Sequence, residues 1–147
     1  MEFIITCNNG DFSKAKSMID QVILQDSNNC ILIWAACNGH LEIVKYLCEV
    51  WGVDPGTQNN EAIILALHFR HFEIVKYLCS KPSVDLTLNN NELIRIATFE
   101  RTGMVEYLCE ILVERRIKID EDAFEWLKYR KDDGLMEYVL NSGVINK

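Results

Sequence analysis

Nine residues of this chain occur almost twice over. His40–Cys48 reads HLEIVKYLC, and His71–Cys79 reads HFEIVKYLC, 31 positions later. A third copy, MVEYLC, spans Met104–Cys109, and a degraded fourth, LMEYVL, spans Leu135–Leu140. A fixed period of this length marks one small supersecondary unit, copied and stacked. Such a unit cannot bury its own apolar face, so the copies must pack on one another. Stacks of this kind bind other molecules far more often than they catalyse reactions.

Within one copy the pattern is that of a helix, a turn and a second helix. Cys30–Ala36 is a short apolar run, and Asn29 before it is placed to act as an N-cap. Asn60 and Asn91 stand at the same place in the next two copies, followed by Glu61 and Glu92. An acidic first-turn residue suits the positive end of a helix dipole. Asn38-Gly39 then interrupts, with Gly39 suited to a left-handed C-terminal cap. In the second helix Leu41, Ile43, Val44, Leu47 and Cys48 form an apolar stripe, with Glu42, Lys45 and Glu49 opposite. Glu42 and Lys45 are spaced to pair along the helix. Trp34, Leu65 and Trp126 occupy one matched slot in the first helices, expected in the core. A Trp34→Ala change there would cost about 3–5 kcal/mol. Trp51–Gly56 aligns with Pro82–Thr87 around a shared Val-Asp pair and returns the chain to the next copy.

Composition fits this reading. Of 147 residues, 49% are hydrophobic and 25% charged, and only seven glycines and two prolines interrupt them, which favours helices over strands. The net charge of −7 lacks the basic surplus that phosphate backbones require, and the run Glu114-Arg115-Arg116-Ile117-Lys118 is short and mixed. No stretch approaches the ~20 apolar residues of a membrane-spanning helix, and the opening MEFIITCNNGDF does not read as a signal peptide. There are six cysteines. Cys48, Cys79 and Cys109 fall at one repeat position, which sets them roughly 10 Å apart in a stack. A disulfide needs Cα atoms within about 7 Å. They read as buried thiols in a reducing compartment, the cytoplasm or else the nucleus.

At these residues the chain resembles the ankyrin repeat. The family's turn and second helix, Gly-His-x-x-(Ile/Val)-Val-x-x-Leu-Leu, matches Gly39, His40, Ile43, Val44 and Leu47, with Cys48 in the last Leu slot. Ala35-Ala36 and Gly52-Val53-Asp54 match the flanking signatures. The Thr-Pro-Leu-His opening is absent, and Arg70 replaces the turn glycine in the third copy. The period of 31 and then 30 is shorter than the family's 33, and the deficit falls in the inter-repeat hairpin. The divergent arrays of large DNA viruses and some protists look similar. The resemblance implies an all-α, ankyrin-type solenoid of about five stacked helix-turn-helix repeats with short hairpins. It forms a single domain, 1–147, with units near 1–28, 29–59, 60–90, 91–120 and 121–147. The more polar first and last units are expected to act as caps, as in a complete array.

The resemblance further implies a non-catalytic module that binds a partner protein through a concave groove lined by the ends of the first helices. Carried over by alignment, that groove takes Asn8 and Asn9, Cys37 and Asn38, His68 and Phe69, Phe99 and Glu100, and Tyr129 and Arg130. Phe69, Phe99 and Tyr129 are aromatics at positions the family exposes, with Asn38, His68, Glu100 and Arg130 supplying polar contacts. His40 and His71 fall where family histidines hydrogen-bond between repeats. No cofactor, nucleic acid or membrane is expected, and a monomer is expected ahead of a homodimer. The alternative is a self-associating structural protein that buries the same aromatics. A metal protein or small enzyme has only the Cys37/His40 pair as a seed, with no second ligand pair. The phosphate-binding, hydrolase and zinc-protease motifs are absent. Asp120-Glu121-Asp122 and Asp132-Asp133 read as solvated carboxylates.

Overall fold

The computed structural model describes residues 12–22, 28–99, 104–129 and 133–143. Among these, helices follow in the order α1 Phe12–Val22, α2 Asn28–Cys37, α3 Leu41–Glu49, α4 Thr57–His68, α5 Phe72–Cys79, α6 Leu88–Phe99, α7 Met104–Glu114, α8 Glu121–Lys128 and α9 Asp133–Ser142. Among the described residues the fold is all-α, a series of helix pairs. Two compact units divide the chain, Met1–Val84 and Asp85–Lys147.

In the first unit α2 pairs with α3 and α4 with α5, while α2 also packs on α4 and α3 on α5. The matched stripes explain why. Ile43, Val44 and Leu47 of α3 are buried, as are Ile74, Val75 and Leu78 of α5. Positions i, i+1 and i+4 share one helix face. Each fully buried Leu contributes about 1.5–3 kcal/mol relative to exposure. In α2 the floor of the core is Leu32, Ala35 and Ala36, and in α4 it is Ile63, Ala66 and Leu67. The alanines let the paired helices approach. In the second unit α6 packs on α7 and α8, and α7 on α9, around Ile94, Ala97, Leu108, Leu112 and Leu127. Asp120 caps α8, its carboxylate accepting the Ala123 amide at 2.8 Å, and Glu121 and Asp122 sit in the positive first turn.

The helix-ending turns repeat in geometry. Gly39 takes φ +81°, and the His40 amide returns to the Ala35 carbonyl at 2.9 Å. Arg70 takes φ +62°, with the His71 amide on Ala66 at 2.8 Å. Arg116 takes φ +55°, with the Ile117 amide on Leu112 at 2.9 Å. This is the left-handed cap that a glycine makes without steric cost, here used twice by arginine.

The segments between repeats are held by aspartates. Asp54 accepts the Gly56 amide at 2.9 Å, and Asp85 accepts the Thr87 amide at 2.8 Å. A β-carbon on Gly56 would lie 2.0 Å from the Ser83 carbonyl oxygen, so the two successive loops of the first unit touch there. The Ser83 hydroxyl and the Gly56 amide hold the Asp54 carboxyl below its ordinary range.

Two sequence expectations need correction. Asn29, Asn60 and Asn91 are not N-caps. Asn29 lies inside α2. Asn60 and Asn91 lie in left-handed stretches (Gln58, Asn59 and Asn60 at φ +50° to +61°; Asn89 and Asn91 at +53° and +58°) and are buried. Neither Oδ1 accepts a capping hydrogen bond. Asparagine tolerates positive φ better than other chiral residues, so backbone geometry accounts for the repeated Asn. Trp34, Leu65 and Trp126 are half-buried rather than core residues. The Trp34 ring covers His40, with centroids 5.0 Å apart.

Candidate protein-binding surface

The residue that follows each first helix defines the candidate surface. Asn38 follows α2, Phe69 follows α4 and Tyr129 follows α8. Each sits where the helix has stopped but the returning turn has not begun, so its side chain is not drawn into the stripe that packs the repeats. Phe69 is 56% exposed and Tyr129 78%. A large ring left this open has not folded back onto its neighbours.

Asn38 is exposed, but its amide is partly spent: Nδ2 donates to the Trp34 carbonyl at 2.8 Å, closing the end of α2. His68, the last residue of α4, is exposed, and Cys37 is half-buried. Asn38, His68 and Phe69 thus belong to the first unit, on consecutive helix ends. Phe99 closes α6 in the second unit. Asn8, Asn9, Glu100 and Arg130 lie outside the described residues.

Of the two turn histidines expected to hydrogen-bond between repeats, His71 does so and His40 does not among the described residues. His71 Nε2 donates to the Cys37 carbonyl at 2.9 Å, across the step from the third repeat to the second. Its ring also occupies the space above Gly39, where a β-carbon would come within 2.7 Å of Cε1. His40 Nε2 is buried and makes no hydrogen bond among the described residues. Burial, then the neighbouring His71, lowers its pKa below the usual histidine value. A ring in that setting is kept neutral.

The five described cysteines are free thiols. Cys79 and Cys109 are buried, and burial pushes the half-buried Cys48 up to about 11. These thiols pack rather than react. Among the described residues no group of three His, Cys, Asp or Glu side chains is placed to hold a metal ion, and no helix is long and apolar enough to cross a membrane.

Sequence reading missed a second set of contacts, on the outer face of the second helices. Tyr46 donates its hydroxyl to Asp20 at 2.6 Å, and Tyr77 donates to Glu49 at 2.9 Å. Both tyrosines stand at one repeat position, and both carboxylates lie in the last turn of the preceding second helix. A tyrosine recurring on the polar side of an amphipathic stripe was the available signal.

Residues 3–59 match the family described as ankyrin repeats (3 copies). Ankyrin repeats are therefore present in this part of the chain. The repeated turns and the alternating helix pairs carry the same pattern past residue 59, through HFEIVKYLC and the helices that follow. Neither a curated protein nor a solved structure matches the chain. Ankyrin repeats are generally protein–protein interaction modules, and the family is typically non-enzymatic.

Proposed function

We propose that this ankyrin-repeat chain binds a partner protein through the ends of its first helices, on the concave side expected of such repeats, with no catalytic step of its own. The contact residues are Asn38, His68 and Phe69 in the first unit, and Phe99, Glu100, Tyr129 and Arg130 in the second. The observation that carries this reading is the exposure of Phe69 and Tyr129 at equivalent positions. Rigid aromatics with neighbouring polar groups supply much of the energy in protein interfaces. The five units act as one recognition domain, a monomer that uses no cofactor, nucleic acid or membrane. Its free thiols, with Cys79 and Cys109 buried, suit a reducing compartment, the cytoplasm ahead of the nucleus.

The test is capture from a lysate of the source cell. The native chain is compared with a Phe69→Ala, Phe99→Ala, Tyr129→Ala variant whose helicity is checked by circular dichroism. A partner held by the native chain and lost by the folded variant supports the surface. Equal retention by both rejects it. The same exposed rings favour one second reading, self-association, which sedimentation over a range of concentrations decides directly.

A further inference from the structure

Tyr46 and Tyr77 offer an internal comparison within the first unit. In the third repeat the tyrosine–carboxylate pair has a third member. Lys81 Nζ lies 4.3 Å above the centre of the Tyr77 ring and 3.9 Å from Glu49 Oε1, while the Tyr77 hydroxyl donates to that same oxygen. An ammonium is held there between an aromatic face and a carboxylate, two attractions that act on the same charge.

The second repeat has a similar tyrosine–carboxylate pair, and there no cation closes on the carboxylate. Asp20 Oδ1 accepts from the Tyr46 hydroxyl at 2.6 Å and from Trp51 Nε1 at 3.2 Å. The carboxylate is half-buried. Among the described residues no lysine or arginine nitrogen lies within 4 Å of it. Lys81 stands four residues after Tyr77, and the residue four after Tyr46 is Val50, 64% exposed. Lys16 stands 4.7 Å over the Tyr46 ring without forming an ion pair with Asp20. Phe12 meets Tyr46 edge-on at 6.2 Å and fixes the ring plane.

We propose that Asp20, Tyr46 and Trp51 form a receptor for a lysine side chain of a partner protein, filled from outside as Lys81 fills the equivalent place from within. One oxygen of Asp20 is pinned by two neutral donors, so its charge is oriented and not cancelled. The exposed Val50 offers an apolar lip for the methylene stem of a lysine. The chain's net charge of −7 steers a basic segment toward it. This surface lies on the second helices and is separate from the helix-end surface above.

The test uses the full chain and an N-acetylated hexalysine peptide, read by the indole N–H resonance of Trp51 during titration. Asp20→Asn keeps an acceptor oxygen for both donors and removes the charge. Val50→Lys supplies the ammonium within the chain, at an exposed site where folding is not at stake. The native chain should show a saturable shift. Both variants should weaken it about tenfold or more, the range expected for losing or pre-filling a close charge pair. Glu73→Gln, which removes a distant surface charge, should leave it unchanged. Equal binding by the native chain, Asp20→Asn and Val50→Lys would mean attraction to net charge alone and overturns the proposal. Absence of a shift in the native chain also overturns it, even if Lys16→Gln then creates one, since the site would be filled by Lys16.

Discussion

The turn at Asn38-Gly39-His40 and the turn at Phe69-Arg70-His71 follow the same backbone path for different reasons. Both place the middle residue at positive φ, and both return the following amide to a carbonyl five residues back. At Gly39 two demands coincide: the left-handed conformation, and the His71 ring resting where a β-carbon would be. At Arg70 only the first is visible, and the side chain is exposed. One position is fixed by its neighbour, and the other carries a conformational cost that the fold tolerates. The same geometry can therefore be obligatory in one repeat and negotiable in the next.

Gly39→Ala should be the most damaging change of the set. Left-handed strain costs roughly 1–2 kcal/mol and overpacking a further 1–3, so chemical denaturation should show a loss of about 2–4 kcal/mol. A loss under about 0.5 kcal/mol would mean that the ring can move aside. His71→Ala should cost about 1–3 kcal/mol by leaving the Cys37 carbonyl without its donor. It should also partly rescue Gly39→Ala, because the clash leaves with the ring, and a double-mutant cycle would measure that coupling. Arg70→Gly should be nearly neutral, up to about 1 kcal/mol stabilising, because relief of strain is offset by a looser unfolded chain. A clear loss would reveal a contact of the Arg70 side chain that the comparison lacks.

The smallest effect is in pH. His40 has a lowered pKa in the folded chain, so the unfolded chain takes up a proton first as pH falls below about 6.5. Stability on this account is full above that value and declines below it, until the folded-state pKa is passed. Melting temperatures between pH 7.5 and 5.5 should fall less in His40→Gln than in the native chain. Equal slopes would show that the Trp34-covered ring is not the group responsible.

Much of this was legible in the sequence, because a repeat averages out local ambiguity. The copied stripe of Ile43, Val44 and Leu47 sets both the helix and its buried face. Gly39 announces its own conformation, and Arg70 was readable as the same turn from its alignment. The asparagines misled because two explanations share one residue: Asn favours caps and also tolerates positive φ. Trp34 misled by its size, since a large ring suggests the core even when its work is to cover a histidine. The Asp20–Tyr46 contact was hidden for a different reason. Its partners are 26 residues apart, and no local pattern links them.

The two glycines of the second repeat whose missing β-carbons matter, Gly39 and Gly56, both face the third. Their counterparts one period on are Arg70 and Thr87. A tandem duplication of the third repeat would therefore set a histidine ring against an arginine β-carbon and a loop carbonyl against a threonine. Near-identical as HLEIVKYLC and HFEIVKYLC are, the two repeats would trade places only at a steric cost. Their order is inherited along with their sequence, because a neighbour that brings a histidine ring and a close loop carbonyl needs glycines opposite them.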